Sequence, residues 1–463
     1  MRNQTNRALH SPTSGRASGP VLRGFFTGIL ALGLTAAAGV HAADAPTTPT
    51  APTAPSPSRA TPASNADAAL VARGAYLATA GDCIACHTAA HGKPYAGGLP
   101  MKVPMLGTIH ASNITPDPTT GIGNWTFADF DRALRRGVSR DGHNLYPAMP
   151  YVSYAKLSDD DVKALHAFFR NGVAPVRHTP PASDIPWPLN MRWPLKFWNL
   201  AFLKPGSYEM KTGRSAEWNR GAYLVQGLAH CGTCHTARRV TLQEKALDES
   251  GAGYLGGAAL AGWDAYNITS SKRAGIGNWT HAQLAQYLRT GNVPGVAQAA
   301  GPMGEAVEHS FSHLSSADID AIATYIRTVP AVEDGSARAR QDWGSEARDV
   351  ATLRGRPLET ALDPARLYLG NCASCHQANG KGTPDAYYPS LLRNSTVGAT
   401  HADNLIQVIL HGVHRQTPGD DVGMPGFGQQ LSDAQIAALA SYVTQRFGNP
   451  AVKVSDKDVA RLR

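Results

Sequence analysis

Cysteine is almost absent from this chain: six residues among 463, and none is left over. They fall in three pairs, Cys83 and Cys86, Cys231 and Cys234, Cys372 and Cys375, each followed at once by a histidine (His87, His235, His376). A structural disulfide framework is thereby excluded, because every thiol is committed to the same short pattern. Long apolar runs are missing as well. Beyond the stretch from Phe25 to Ala38, no segment approaches the roughly 20 residues needed to cross a bilayer. The formal net charge is +8, yet no basic stripe and no recognised motif supports nucleic-acid binding. Nor does the chain carry a flavin or quinone-cofactor motif, or a set of side chains suited to proton transfer.

What is present begins with an export pattern at residues 1–42. Arg2, Arg7, Arg16 and Arg23 precede or enter the apolar stretch without any acid, and Val40-His41-Ala42 offers a small-residue cleavage site. The competing reading is an uncleaved anchor, for which the stretch is short. We expect cleavage and a periplasmic protein. Those four arginines hold half of the net charge, so the mature chain is only weakly basic. Residues 43–66 are a Pro/Ala/Thr/Ser tract, read as a disordered tether.

Each Cys-x-x-Cys-His run reads as a covalent c-type haem attachment site. Two thiols add to the haem vinyl groups, and the adjoining imidazole becomes an axial iron ligand. Cys-x-x-Cys alone also suits a zinc half-site or a redox dithiol. Zinc normally needs a second ligand pair nearby, and a dithiol needs no fixed following histidine. A histidine directly after the second cysteine, three times over, points to three covalently bound haem c groups.

The surrounding sequence repeats with the runs. Arg73-Gly74-Ala75-Tyr76-Leu77 precedes the first and Arg220-Gly221-Ala222-Tyr223-Leu224 the second, while Ala365-Arg366-Leu367-Tyr368-Leu369 is a weaker third copy without the glycine. Asn113-Ile114-Thr115 and Gly121-Ile122-Gly123-Asn124-Trp125-Thr126 recur as Asn267-Ile268-Thr269 and Gly275-Ile276-Gly277-Asn278-Trp279-Thr280. Each unit closes with a helix signal. Ser158, Ser315 and Ser432 are N-caps, and Asp161, Asp318 and Gln435 are placed to reach back to the cap amide. Leu157, Leu314 and Leu431 can staple onto Val162, Ile319 and Ile436. The expected fold is all-α, three tandem cytochrome c domains at 67–180, 214–332 and 361–450. Linkers at 181–213 and 333–360 join them, and 451–463 is left as a tail.

A sixth iron ligand is expected after each haem loop and shortly before the closing helix. Met149, Met303 and Met424 occupy that place, each in a Gly/Pro-rich segment read as a loop suited to close approach. A thioether ligand raises the reduction potential relative to a second imidazole. A lone methionine is otherwise core filler. Met101 and Met105, and less so His110, His143 and His166, compete in the first unit. Trp125 and Trp279 are divided between binding haem propionates and plain packing. Tyr76, Tyr223 and Tyr368 are read as helix-packing residues. The aromatic run Ile185 to Leu203 is read first as a linker packing on the first two units, second as a docking surface for a partner or a membrane.

Taken together, the three runs, the twice-used Gly-Ile-Gly-Asn-Trp, Tyr146-Pro147-Ala148-Met149-Pro150-Tyr151, the Trp-rich linker and Gly301-Pro302-Met303 resemble the triheme cytochrome c subunits of membrane-bound bacterial dehydrogenases. The likeness spans about 67–450. It implies a catalytic partner subunit (a quinoprotein, flavoprotein or molybdoprotein) whose electrons pass through the cytochrome to ubiquinone or another acceptor. It also implies peripheral association with the outer face of the inner membrane, and carries over the three histidine and three methionine ligands. The tether at 43–66 departs from the pattern. The alternatives are a soluble electron shuttle and a haem enzyme with an open iron site.

Overall fold

Helices dominate the computed structural model, which describes residues 65–103, 106–345 and 361–463. The export segment, nearly all of the tether, Met105 and the second half of the 333–360 linker lie outside the described residues. One pattern occurs three times. A leading helix (Asn65–Ala80, Ala216–Tyr223, Pro364–Asn371) runs into a short helical turn (Cys83–His87, Gly232–His235, Ala373–His376) and packs on a closing helix (Asp159–Asn171, Ser316–Ile326, Asp433–Phe447). A π-helical turn, Leu224–Leu228, extends the second leading helix toward its cysteines.

The repeated glycine explains how closely the first two helix pairs cross. A Cβ on Gly74 would sit 1.9 Å from the Ala164 carbonyl oxygen, and one on Gly221 would sit 1.9 Å from that of Ala321. Backbone therefore lies on backbone at both crossings. The third pair, with Arg366 at the matching place, packs less closely.

Among the described residues, four two-stranded antiparallel hairpins correct the all-α expectation: Pro100–Val103 with Gly107–His110, Ala258–Leu260 with Trp263–Ala265, Asn292–Val293 with Ala297–Gln298, and Val413–Thr417 with Asp420–Met424. These long Gly-rich connections must pair their backbone groups somewhere, and short ladders do so. The tail is also folded. Ser455 caps a helix, Asp456–Leu462, whose Val459 and Leu462 are buried in the third unit.

The three serine caps form as expected, each accepting from the backbone N–H three residues on. The reciprocal arm does not. Only at Ser432 does the partner, Gln435, accept from the cap amide. At the other two caps the amide donates instead to a tyrosine of the other unit: Ser158 to Tyr223 and Ser315 to Tyr76, both at 3.2 Å. The displaced acids have a second use. Asp161 takes Arg73 at 2.6 Å and the Tyr223 hydroxyl, while Asp318 takes Arg220 at 2.7 Å and the Tyr76 hydroxyl at 2.6 Å. Two Arg–Asp pairs within units and two Tyr–Asp bonds between them make a reciprocal, pseudo-two-fold lock. Tyr76 and Tyr223 are thus inter-unit hydrogen-bond donors rather than simple packing residues. Tyr368 stays home, donating to the Gln377 carbonyl at 2.6 Å. The third unit lacks both the leading arginine and the capping acid.

Behind this lock the first two units share one apolar core, from Leu77, Leu165 and Phe169 to Trp218, Leu228 and Ile322. The third builds its own around Tyr368, Ile406, Leu439 and Phe447. It joins the second by polar contacts: Asn404 bonds both backbone groups of Asp264 (2.7 and 2.9 Å), and the fully buried Arg415 donates to the Ala299 carbonyl at 2.6 Å.

The segment from Ile185 onward packs on the first two units, as the linker reading expects. Trp198 donates to the Thr241 carbonyl of the second unit at 2.8 Å, and Asn199 accepts from Tyr151 of the first at 2.7 Å. Trp187, Trp193, Phe197 and Leu200 nonetheless remain 78, 63, 62 and 84 % exposed.

Two outcomes follow from these contacts. Gly221→Val should force the second helix crossing apart at a cost of at least about 1–3 kcal/mol, read as a lower thermal unfolding midpoint. Burial alone would raise the Asp318 carboxyl, but the hydrogen bonds from Arg220 and Tyr76 outweigh it and hold the group below its ordinary value. A folded value below the unfolded one adds stability above about pH 4, and this is lost as pH falls through the folded value. Tyr76→Phe should shrink that contribution, so its unfolding midpoint falls less steeply with acid than that of the parent.

Candidate haem-binding sites

All three cysteine turns solve the histidine problem in one way. Nδ1 of His87 lies 2.7 Å from the Ser112 carbonyl oxygen, Nδ1 of His235 lies 2.6 Å from that of Tyr266, and Nδ1 of His376 lies 2.8 Å from that of Pro389. A carbonyl can only accept, so Nδ1 carries the hydrogen and Nε2 keeps its lone pair. Desolvation lowers the pKa of all three imidazoles, which favours the neutral form a metal needs. This is the orientation in which second-shell contacts hold a ligating histidine.

The cysteines do not pair with one another. Burial pushes Cys83, Cys231 and Cys372 up to about 12 and Cys86 up to about 11, the reverse of an activated dithiol. Among the described residues no group of three or more His, Cys, Asp or Glu side chains could hold a metal ion, so the pairs have no zinc partners. The first two turns lie close together, since the helix Gly301–His309 packs against Cys83–His87 and Leu228 reaches Gly81.

In the second unit the expected residues meet. Cys231, Cys234, His235 and Met303 line one cavity, with Ile276, Trp279, Leu288, Phe311 and Ile322 supplying apolar walls. Trp279 is 6 % exposed, and its indole N–H is buried without a hydrogen-bond partner. A flat, mostly apolar group bearing carboxylates, covalently held through thiols and ligated by imidazole and thioether, fits this donor set. In the first unit Cys83 and Met149 pack on the same apolar cluster, together with Tyr95, Trp125 and Phe168. In the third unit Cys372 packs on the local core, while Met424 is half-buried opposite Val413 in a hairpin.

The loop expectation for the methionines is corrected at two positions. Met303 lies in the first turn of the helix Gly301–His309, where Pro302 suits a position whose N–H needs no partner. Met424 ends a β-strand. Only Met149 sits in a turn. Met105 lies outside the described residues, and the other competitors in the first unit are engaged elsewhere. Met101 joins a separate cluster with Ile109, Tyr146 and Ile185, His110 faces the Ala182 carbonyl at 3.1 Å, His143 pairs with Asp141 at 2.6 Å, and His166 packs against Phe127 and Phe130. Trp125, unlike Trp279, is half-buried against the shared core.

Sequence reasoning missed Arg340 and Tyr266, which line the same cavity as Met303. Arg340 comes from a stretch that reads as a linker, and Tyr266 stands where the first unit has Ser112. Neither position carries a repeat signal.

Comparison with known proteins agrees with this geometry. Residues 71–172 match the family described as "Cytochrome c", and residues 359–443 match "Cytochrome C oxidase, cbb3-type, subunit III". The fructose dehydrogenase cytochrome subunit of Gluconobacter japonicus is 45% identical over 87% of this chain and 84% of its own length. The gluconate 2-dehydrogenase cytochrome c subunit of Pantoea cypripedii is 43% identical over 86% and 90%. The chain belongs to the dehydrogenase cytochrome c subunits. The cytochrome c subunit of the quinone-dependent alcohol dehydrogenase of Gluconobacter oxydans is 41% identical over 87% and 84%. This cytochrome is therefore a covalent haem c protein of electron transport, mostly helical with short hairpins. No helix among its described residues is long and apolar enough to cross a membrane.

Proposed function

We propose that this chain is the triheme electron-transfer subunit of a dehydrogenase complex. It has three tandem cytochrome c domains, at 67–180, 214–332 and 361–450. A separate catalytic subunit (quinoprotein, flavoprotein or molybdoprotein) oxidises an alcohol, sugar acid or aldehyde, and the cytochrome passes the electrons to ubiquinone or the respiratory chain. One observation carries the reading: three histidines, each after a Cys-x-x-Cys turn, donate Nδ1–H to a backbone carbonyl and present a free Nε2.

Covalent haem c supplies one-electron iron chemistry; the residues supply attachment and geometry. Cys83 and Cys86, Cys231 and Cys234, and Cys372 and Cys375 hold the three groups. His87 with Met149, His235 with Met303, and His376 with Met424 ligate the irons. The close packing of the first two cysteine turns, and of the Met424 hairpin on the Met303 helix, favours transfer along one chain. The relatives' names, covering fructose, gluconate and alcohol, support a separate substrate-oxidising subunit of that chemical range.

Residues 1–42 direct export to the periplasm and are removed. The exposed Trp187, Trp193, Phe197 and Leu200, beside Arg192 and Lys196, are a suitable contact for the outer face of the inner membrane or the partner.

Substrate should reduce the haems only when the catalytic subunit is present, and a ubiquinone analogue should reoxidise them. Reduction by substrate in the purified cytochrome alone would overturn the proposal, and no quinone-dependent reoxidation would make it a soluble shuttle. Met303→Ala should convert one haem to a high-spin, cyanide-binding form in magnetic circular dichroism and lower one midpoint potential, leaving the other two low-spin.

A further inference from the structure

The wall of the second cavity that faces the third unit is lined by Asp264, Tyr266, Arg340, Ser395 and Asn404. Arg340 arrives there from the connection after the second closing helix. Its Nη1 donates to the Ala274 carbonyl at 2.6 Å, and its guanidinium lies 4.3 Å from the centre of the Tyr266 ring. Nε is buried with no hydrogen-bond partner, and among the described residues no carboxylate pairs with the guanidinium, Asp334 acting on its charge only from farther away. Desolvation works against its charge. A desolvated guanidinium with no anion in contact is a costly arrangement. Within the same cavity the indole N–H of Trp279 is likewise buried and unpartnered. The acid that lines this cavity, Asp264, is raised by burial and by Asp403, and its Oδ2 is also unpartnered. It does not neutralise Arg340.

We propose that Arg340 and Trp279 form a preformed carboxylate clamp for a propionate of the haem attached at Cys231 and Cys234, and that Arg340 thereby raises the reduction potential of that haem above what the first unit's surroundings would give. The clamp deepens the haem reading of the second cysteine pair and rests on it. The repeat makes the assignment specific. Asn267 bonds the Val332 carbonyl at 2.7 Å, as Asn113 bonds that of Val176 at 2.8 Å. The same distance beyond those valines stands Arg340 in the second unit but Asp184 in the first, where its backbone pairs with Thr108. The carbonyl that receives His235 belongs to Tyr266, whose ring supports Arg340. One residue thus ties the axial histidine to the clamp.

The sign follows from electrostatics. Oxidised haem iron carries one more positive charge than reduced iron, so a buried cation disfavours the oxidised state. Compensating a propionate acts in the same direction.

The test is a potentiometric titration of the full chain with its haems, after haem on each cysteine-containing peptide has been counted by mass spectrometry. Arg340→Gln should lower one of the midpoints and leave the others in place, and Arg340→Lys should keep most of the original value. Trp279→Phe should move the same midpoint in the same direction by less, and it carries the test if Arg340→Gln does not accumulate. Unmoved midpoints in both variants, or all midpoints shifting together, would overturn the clamp. Absence of haem from the Cys231–Cys234 peptide of the parent protein would instead overturn the haem reading on which it rests.

Discussion

The hydrogen bond from histidine Nδ1 to a backbone carbonyl is the constraint on which the rest of this structure depends. It chooses the tautomer, aims Nε2, and ties each Cys-x-x-Cys turn to a loop far along the chain: Ser112, Tyr266 or Pro389. Those loops must be held in turn. In the first two units a buried asparagine does this. Asn113 accepts from the Thr115 amide and Asn267 from the Thr269 amide, and both donate to the segment that follows the closing helix. The repeated Gly-Ile-Gly-Asn-Trp-Thr then delivers Thr126 and Thr280 as N-caps of the next helices. Motifs that look decorative in the sequence are the supports of the histidine.

Duplication accounts for much of the remaining architecture. The first two units keep the arginine, glycine, tyrosine and capping acid together, and these residues make both the close helix crossing and the reciprocal lock. The third unit has lost arginine, glycine and acid, keeps its tyrosine for an internal bond, and attaches through Asn404 and Arg415 instead. A pseudo-two-fold pair with a third member docked on one side is the consequence. The helix Gly301–His309 sits at the junction, touching the first cysteine turn and, through Glu308, the hairpin that carries Met424.

Much of this was legible in the sequence where a residue's role is local. The serine caps depend on neighbours three positions away, and each accepts the backbone N–H expected of it. Interactions over long separations were not legible. Nothing near Tyr76 reveals that its hydroxyl meets Asp318, and the capping rule predicted the wrong partner for Asp161 because an arginine and a distant tyrosine compete for it. The same limit hid Arg340 in an apparent linker and the helix at 456–462 in an apparent tail. Met303 and Met424 were read as loop residues but stand in a helix and a strand, since Gly and Pro can open a helix or border a hairpin as readily as a loop.

The central claim is that the chain holds three covalent haems, each on its own Cys-x-x-Cys-His turn. Intact-mass spectrometry of the protein exported from a cell with haem-attachment machinery tests it most directly. The account predicts a polypeptide that begins after residue 42 and carries three haem masses. A chain with two haems or fewer, under conditions that load a control cytochrome fully, would contradict it.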